Sequence, residues 1–297
     1  MLLIRNLFLG SLGVGIIAYL GICLSLSLWQ NRLIFKPSST IEITPEELSL
    51  PHEEIWLPVS NQGENSPKIH GFWFPSTSPN SPVILYLHGN GGNVTSNFWH
   101  AKRFHSLGFA VLVMDYRGYG KSEGDFPTEK QVYQDAQIMW DYLVQERGIN
   151  SQDIIVYGHS LGGAIAIDLA SKNPHMAGLI IQGSFTSMSD MVDFLGVYNL
   201  FPNDLILNQK FDSLSKLESL EVPLLFIHGE EDDIVPASMS KTLFDAAIAP
   251  KSLWLVEGAN HNDVAKVSGE KYLQKILEFT DLVMGKSSKD RTLSISH

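Results

Sequence analysis

An α/β fold built on a mostly parallel sheet is predicted for this 297-residue chain by two observations. Short apolar runs recur at Val83–Leu87, Ala110–Met114, Ile154–Tyr157, Leu179–Ile181, Leu224–Ile227 and Leu253–Val256. Between them lie longer segments of helical period, the alternation that βαβ units leave in a sequence. The composition agrees, because 44% hydrophobic and 10% aromatic residues can bury a sizeable core and exclude wholesale disorder.

The first element in chain order is a membrane-spanning candidate. No charged residue occurs from Asn6 to Asn31. As a helix, the 23 residues Leu7–Trp29 would extend about 34 Å at about 1.5 Å per residue, enough for a hydrocarbon core of about 30 Å. A cleaved signal peptide competes, but its apolar region usually runs to about 7–15 residues and no A-x-A-like site follows this one. A retained single-pass anchor over residues 7–29 is therefore expected, and with it a membrane location. Arg5 precedes the run while Arg32 and Lys36 follow it, so its orientation stays open. The single cysteine, Cys23, falls inside the run, leaving no thiol elsewhere for a disulfide or a Cys-ligated zinc site.

The remainder reads as one domain over residues 33–284, with no internal repeat or long linker, followed by a flexible tail over 285–297. Glu53–Val59 and Ile69–Phe74 flank a polar turn, Asn61 to Lys68, and read as an antiparallel hairpin. Val132, Ala136, Met139, Trp140 and Leu143 share one helix face, as do Tyr272, Ile276, Phe279 and Val283 near the end. The net charge of −11, with no Lys/Arg run, argues against a nucleic-acid partner. Oligomeric state is not readable from these patterns.

Two pentapeptides match G-x-S-x-G, a motif that works where a sharp strand-to-helix turn lifts a serine hydroxyl clear of a sheet. Ser160 has the β-branched run Ile154–Tyr157 before it and the small-faced segment from Gly163 to Ile167 after it. Ser122 has loop residues on both sides and reads as a turn. A P-loop reading of Gly120-Lys121-Ser122 fails because Asp115 stands where the first glycine is required. A serine hydroxyl needs a neighbouring base, commonly an imidazole whose ordinary pKa is about 6.5. Downstream of Ser160 stand His175, His228, His261 and His297, and only His261 sits in a turn-rich loop between the last strand and the last helix. For the acid that orients the imidazole, the loop after Leu224–His228 offers Asp232 and Asp233.

With these residues in place the chain resembles the α/β-hydrolase superfamily, and within it the membrane-anchored, lid-poor serine hydrolases whose relatives include depalmitoylases and lipid esterases. The resemblance covers nearly all of residues 51–284. It rests on His88-Gly89-Asn90-Gly91-Gly92, Asp115-Tyr116-Arg117-Gly118-Tyr119-Gly120, the elbow at Ser160, Gly229-x-x-Asp232-x-x-Val235-Pro236 and Gly258-Ala259-Asn260-His261. It implies an eight-stranded, mostly parallel sheet with helices on both faces, and a Ser160, His261, Asp232 triad with Asp233 as the fallback acid. The N–H after the nucleophile, that of Leu161, is one expected oxyanion donor. The resemblance assigns the other to Asn90, with Gly91 second. It calls for no metal or organic cofactor.

The expected activity is hydrolysis of a carboxylic ester or thioester through an acyl-enzyme, on a small-molecule ester or a lipidated substrate at a membrane. Amide hydrolysis and acyl transfer by the same triad are alternatives. A catalytically silent, membrane-tethered binding module is the alternative of another class. The interval where many relatives insert a cap, Phe185 to Glu221, has only 37 residues. Its Met188, Met191, Phe194, Leu195, Tyr198, Leu200 and Phe201 read either as a core helix or as an adaptable apolar wall for an acyl chain. Asn93-Val94-Thr95 is formally a glycosylation sequon, discounted because it adjoins the expected oxyanion loop.

Overall fold

A computed structural model describes residues 2–60, 66–78 and 81–285. Part of the hairpin turn and all but the first residue of the expected tail lie outside them. Eight strands form one sheet: β1 (Glu53–Pro58), β2 (Lys68–Phe74), β3 (Val83–Leu87), β4 (Ala110–Met114), β5 (Ile154–His159), β6 (Gly178–Gln182), β7 (Leu224–Gly229) and β8 (Lys251–Val256). Their spatial order is β1-β2-β4-β3-β5-β6-β7-β8. The β1–β2 and β2–β4 pairings are antiparallel and all the others parallel.

Strands buried on both faces need apolar residues at every position, which is why these segments read as unbroken runs. Along β3, Val83, Leu85 and Leu87 enter the core on one side, while Ile84 and Tyr86 enter the core on the other. The first core is covered by α3 (Glu129–Asp141), α4 (Leu161–Lys172), α7 (Ser213–Leu217) and α8 (Ala237–Ala246), through Met139, Ile165, Leu217 and Leu243. The second is covered by α2 (Phe98–Ser106) and α9 (Glu270–Val283), through Phe104 and Ile276. At the start of α3, Thr128 and Gln131 form a reciprocal capping box that satisfies two otherwise unpaired N–H groups.

The N-terminal helix α1 runs unbroken from Leu2 to Ile34, past the expected limit at Trp29. Its apolar stretch is long enough to cross a membrane and is almost entirely uncovered by the rest of the chain, a pattern shared by anchors and signal sequences. The extra turn is held from outside the helix. Gln30 is bonded to the chain around Ile206–Gln209, and the Arg32 guanidinium lies 4.6 Å from the centre of the Phe126 ring. Directly after α1, Lys36–Pro37 forms a two-residue parallel ladder with Gly91–Gly92.

Between β6 and β7 the chain builds a short cap: α5 (Met188–Leu195), a run of turns, and α6 (Asn203–Ile206). Ser187 caps α5 by accepting the Asp190 N–H at 3.0 Å. The returning segment of the cap is fixed by the Glu129 carboxylate, which accepts the N–H groups of Lys210 and Phe211 at 2.6 and 2.9 Å.

Candidate active site

Strand β3 lies between β4 and β5, so the direction of sheet growth reverses there, and the crevice outside the strands' carboxyl ends is the usual ligand site in such sheets. Ser160 stands at that crevice, between β5 and α4, with φ 54° and ψ −121°. A non-glycine residue held there costs on the order of 1–3 kcal/mol. Ser160 is held by its own N–H to the Gln182 carbonyl at 2.8 Å and by the Gly163 N–H to its carbonyl at 2.9 Å. The flanking glycines are sterically required: a Cβ on Gly158 would fall on the Gly162 carbonyl, and one on Gly162 would fall on the Leu87 carbonyl. Ser122 is buried instead. It donates to the Asp115 carbonyl at 2.9 Å and accepts the His70 N–H at 2.8 Å, which makes it a turn-binding serine.

His261 follows β8 and presents Nδ1 to Asp232 Oδ2 at 2.6 Å. With the Nδ1 proton held on that carboxylate, Nε2 is the acceptor nitrogen. The other Asp232 oxygen accepts the N–H groups of Ile234 and Val235 at 2.9 and 2.8 Å. Asp233, one residue on, makes no contact with the imidazole among the described residues; its side chain is part of a cavity wall. His261 and Asp232 meet around Gly183, where a Cβ would be 3.3 Å from His261 Cε1 and 3.7 Å from Asp232 Oδ2, and Ser160 is tied to the preceding residue through its N–H to the Gln182 carbonyl. The Ser160 hydroxyl has no hydrogen-bond partner among the described residues, and such contacts commonly tighten only when substrate is bound.

Asp232 has a second imidazole that sequence reading placed only at a strand end. His228 Nε2 lies 3.1 Å from Asp232 Oδ2 and 2.8 Å from the Val235 carbonyl, with Nδ1 2.6 Å from Ser240 Oγ. Burial alone would raise the Asp232 carboxyl, but the hydrogen bonds from His228, His261 and the Val235 N–H outweigh it and hold the group well below the usual carboxylate range. Burial, assisted by the neighbouring His261, pushes His159 down to about 4, and burial pushes His100 down to about 3.

Leu161 and Asn90, the residues expected to donate to an oxyanion, both border the crevice beside Ser160. The Leu161 N–H is the first of α4 and has no carbonyl four residues back within the helix. Asn90 is pinned through its other polar groups: its carbonyl accepts from Lys36 N–H and Tyr119 Oη at 2.8 and 2.7 Å, and its side chain donates to the Ile34 carbonyl at 3.0 Å. Asn93 is fully buried and donates to the carbonyls of Ser38 and Thr40, both at 2.8 Å, so its side chain is inaccessible to a glycan.

Ser160, Leu161 and Asn90 border a cavity of about 450 Å³. Met188, Met191, Val192, Leu195 and Tyr198 of the cap form one wall, so much of this segment lines the cavity and none of α5 is fully buried. Leu26, Gln30, Leu33 and Ile34 of α1 form the opposite wall, a contribution that no local pattern in the sequence announces.

Residues 78–216 match the family model described as serine aminopeptidase, S33. The uncharacterized protein Rv2307c of Mycobacterium tuberculosis is 32% identical over 273 residues, covering 90% of this chain and 93% of its own. Alpha/beta hydrolase domain-containing protein 17B of Homo sapiens is 32% identical over 213 residues, 69% of each chain. Among solved structures, the esterase Pf2001 of Pyrococcus furiosus aligns with a TM-score of 0.69 at 20% identity, over 85% of this chain and 98% of its own, a likeness of fold.

Proposed function

The chain belongs to the α/β-hydrolase superfamily, and on that premise we propose that it is a membrane-anchored serine hydrolase cleaving carboxylic esters or thioesters of apolar acyl groups. The observation that carries the reading is a serine on a strained elbow, bordering a largely apolar cavity and backed by the His261–Asp232 pair at 2.6 Å.

Ser160 Oγ attacks the acyl carbonyl carbon while His261 Nε2 takes the hydroxyl proton. Asp232 fixes the imidazole through Nδ1 and stabilises the imidazolium that forms. The N–H groups of Leu161 and Asn90 hold the oxyanion, whose charge develops only in the transition state. Collapse breaks the bond to the leaving alcohol or thiol, which takes the proton from His261. Water, deprotonated by the same imidazole, then releases the acid and restores Ser160. Apolar lining favours an acyl chain over a charged peptide terminus, and Asp233 is the single charged side chain on the cavity wall among the described residues.

The test is intact-mass analysis of the full chain in detergent after treatment with a fluorophosphonate. One adduct on the wild type and none on Ser160→Ala is expected, followed by higher kcat/KM for long-chain than for acetyl esters. A folded wild type that takes no adduct and turns over no ester would return the chain to the binding-module reading.

A further inference from the structure

The cap carries apolar side chains that neither the core nor the cavity uses. Val197, Leu200 and Leu205 are 65%, 80% and 83% exposed. Leu200 and Leu205 do not line the cavity. Next to Leu200, Phe201 stacks on Tyr19 of α1 with ring centres 5.7 Å apart, and the Tyr19 hydroxyl donates to the Leu200 carbonyl at 3.0 Å. Eleven residues further along α1, about 16 Å at its rise per residue, Gln30 holds the base of the cap. The cap therefore climbs alongside the helix from Gln30 to Tyr19.

The position of Tyr19 fixes where that climb ends. A span needs about 20 residues, and the uncharged stretch from Asn6 to Asn31 allows it to begin no earlier than residue 6 and to end no later than residue 31. Every such window contains Tyr19. Whatever register α1 takes in a bilayer, the level of Leu200 and Phe201 is then level with the hydrocarbon. Much of the backbone there is paired internally, which lowers the cost of an apolar surrounding. The N–H groups of Val197, Asn199, Phe201, Asn203 and Leu205 all donate to carbonyls within the segment, and Pro202 has none to satisfy.

We infer that the cap tip, through the exposed apolar side chains of Val197, Leu200 and Leu205, inserts into the leaflet beside α1 with the exposed Asp204 carboxylate kept at its polar margin, and that the cavity between cap and helix takes its acyl chain directly from that leaflet. The partner is the lipid surface, and the substrate class is an acyl ester resident in the bilayer. The inference rests on the anchor and hydrolase reading above.

The experiment uses the full chain with Cys23→Ser, labelled with a polarity-sensitive fluorophore at Leu200→Cys or Leu205→Cys and reconstituted in phosphatidylcholine vesicles. Ile17→Cys in α1 reports the anchor itself. Ile248→Cys, 73% exposed at the end of the sheet away from the cap, reports the aqueous side. Expected is quenching of the cap labels by doxyl-labelled lipid and iodide quenching at least fivefold weaker than at residue 248. Iodide quenching equal to that at residue 248 overturns the insertion, and an iodide-quenched label at residue 17 overturns the anchor reading as well. In parallel, the pair Leu200→Asp and Leu205→Asp should lower turnover of a vesicle-borne palmitoyl ester at least tenfold while leaving p-nitrophenyl acetate within twofold. Unchanged palmitoyl turnover overturns uptake from the leaflet. A wild type inactive on both esters overturns the hydrolase reading, while the quenching data still decide insertion.

Discussion

At Asp232 four hydrogen-bond donors, two imidazoles and two backbone N–H groups, compete with burial, and the donors prevail. A carboxyl lowered in the folded state lends stability that is complete above its unfolded value of about 3.9 and is lost only as pH falls through its folded value. The acid proposed for the triad therefore stays ionised in any ordinary assay. Ser160→Ala and His261→Ala should each cost up to about a millionfold in kcat, Asp232→Ala less, and Asp233→Ala little, as read from steady-state kinetics on an acetyl ester. If Asp233→Ala proves the more damaging aspartate change, the acid is misassigned. His100 and His159 respond to pH in the window where Asp232 does not. Their folded values of about 3 and about 4 lie below the unfolded 6.5, so in between the unfolded chain binds protons the native state refuses. Stability falls as pH drops, by about 2 kcal/mol per histidine at pH 5. Urea midpoints at pH 7.5 and 5.0 measure this, and His100→Phe should remove about half of the difference. Of the site, sequence order and turn chemistry pointed to Ser160 and His261. The two adjacent aspartates were separable only by resemblance, because local spacing does not say which one points inward. His228 was invisible as a partner because its contact with Asp232 depends on how the loop folds back.

Among the elements, strands were the most legible, since both faces are buried and each leaves a continuous apolar run. The two-residue ladder between Lys36–Pro37 and Gly91–Gly92 has no period to detect. The continuation of α1 through Arg32 was hidden for a related reason: its last turn is fixed by tertiary bonds. Gln30 is the centre of these, donating to the Ser27 and Ile206 carbonyls at 2.8 and 3.0 Å and accepting from the N–H groups of Asn208 and Gln209 at 2.7 and 3.0 Å. Gln30→Ala leaves those two N–H groups without their acceptor, at about 1–3 kcal/mol. The expected readout is a raised KM for a long-chain ester with kcat on an acetyl ester nearly unchanged.

For the molecule as a whole, the sequence suggested an anchor and a catalytic domain as separate parts, and the cavity joins them. One wall belongs to residues 26–34 and the other to the cap. Deleting residues 1–34 should therefore flatten the chain-length profile, reducing the ratio of long- to short-chain kcat/KM at least tenfold. Equal ratios for truncated and full chains would show that the α1 wall is dispensable.

The Asn90 side chain holds the last carbonyl of α1, and its own carbonyl holds the N–H of Lys36, so the Asn90 loop beside Ser160 is tied to the point where the chain leaves α1. A helix longer than the bilayer is thick tilts to hide its excess. In the anchor proposed above, tilt of α1 would pull on that loop. Bilayer thickness thereby becomes a rate variable even for a water-soluble ester that never enters the lipid. Turnover of p-nitrophenyl acetate in vesicles of 14-carbon and 22-carbon phosphatidylcholine should differ for the full chain and coincide once residues 1–34 are removed.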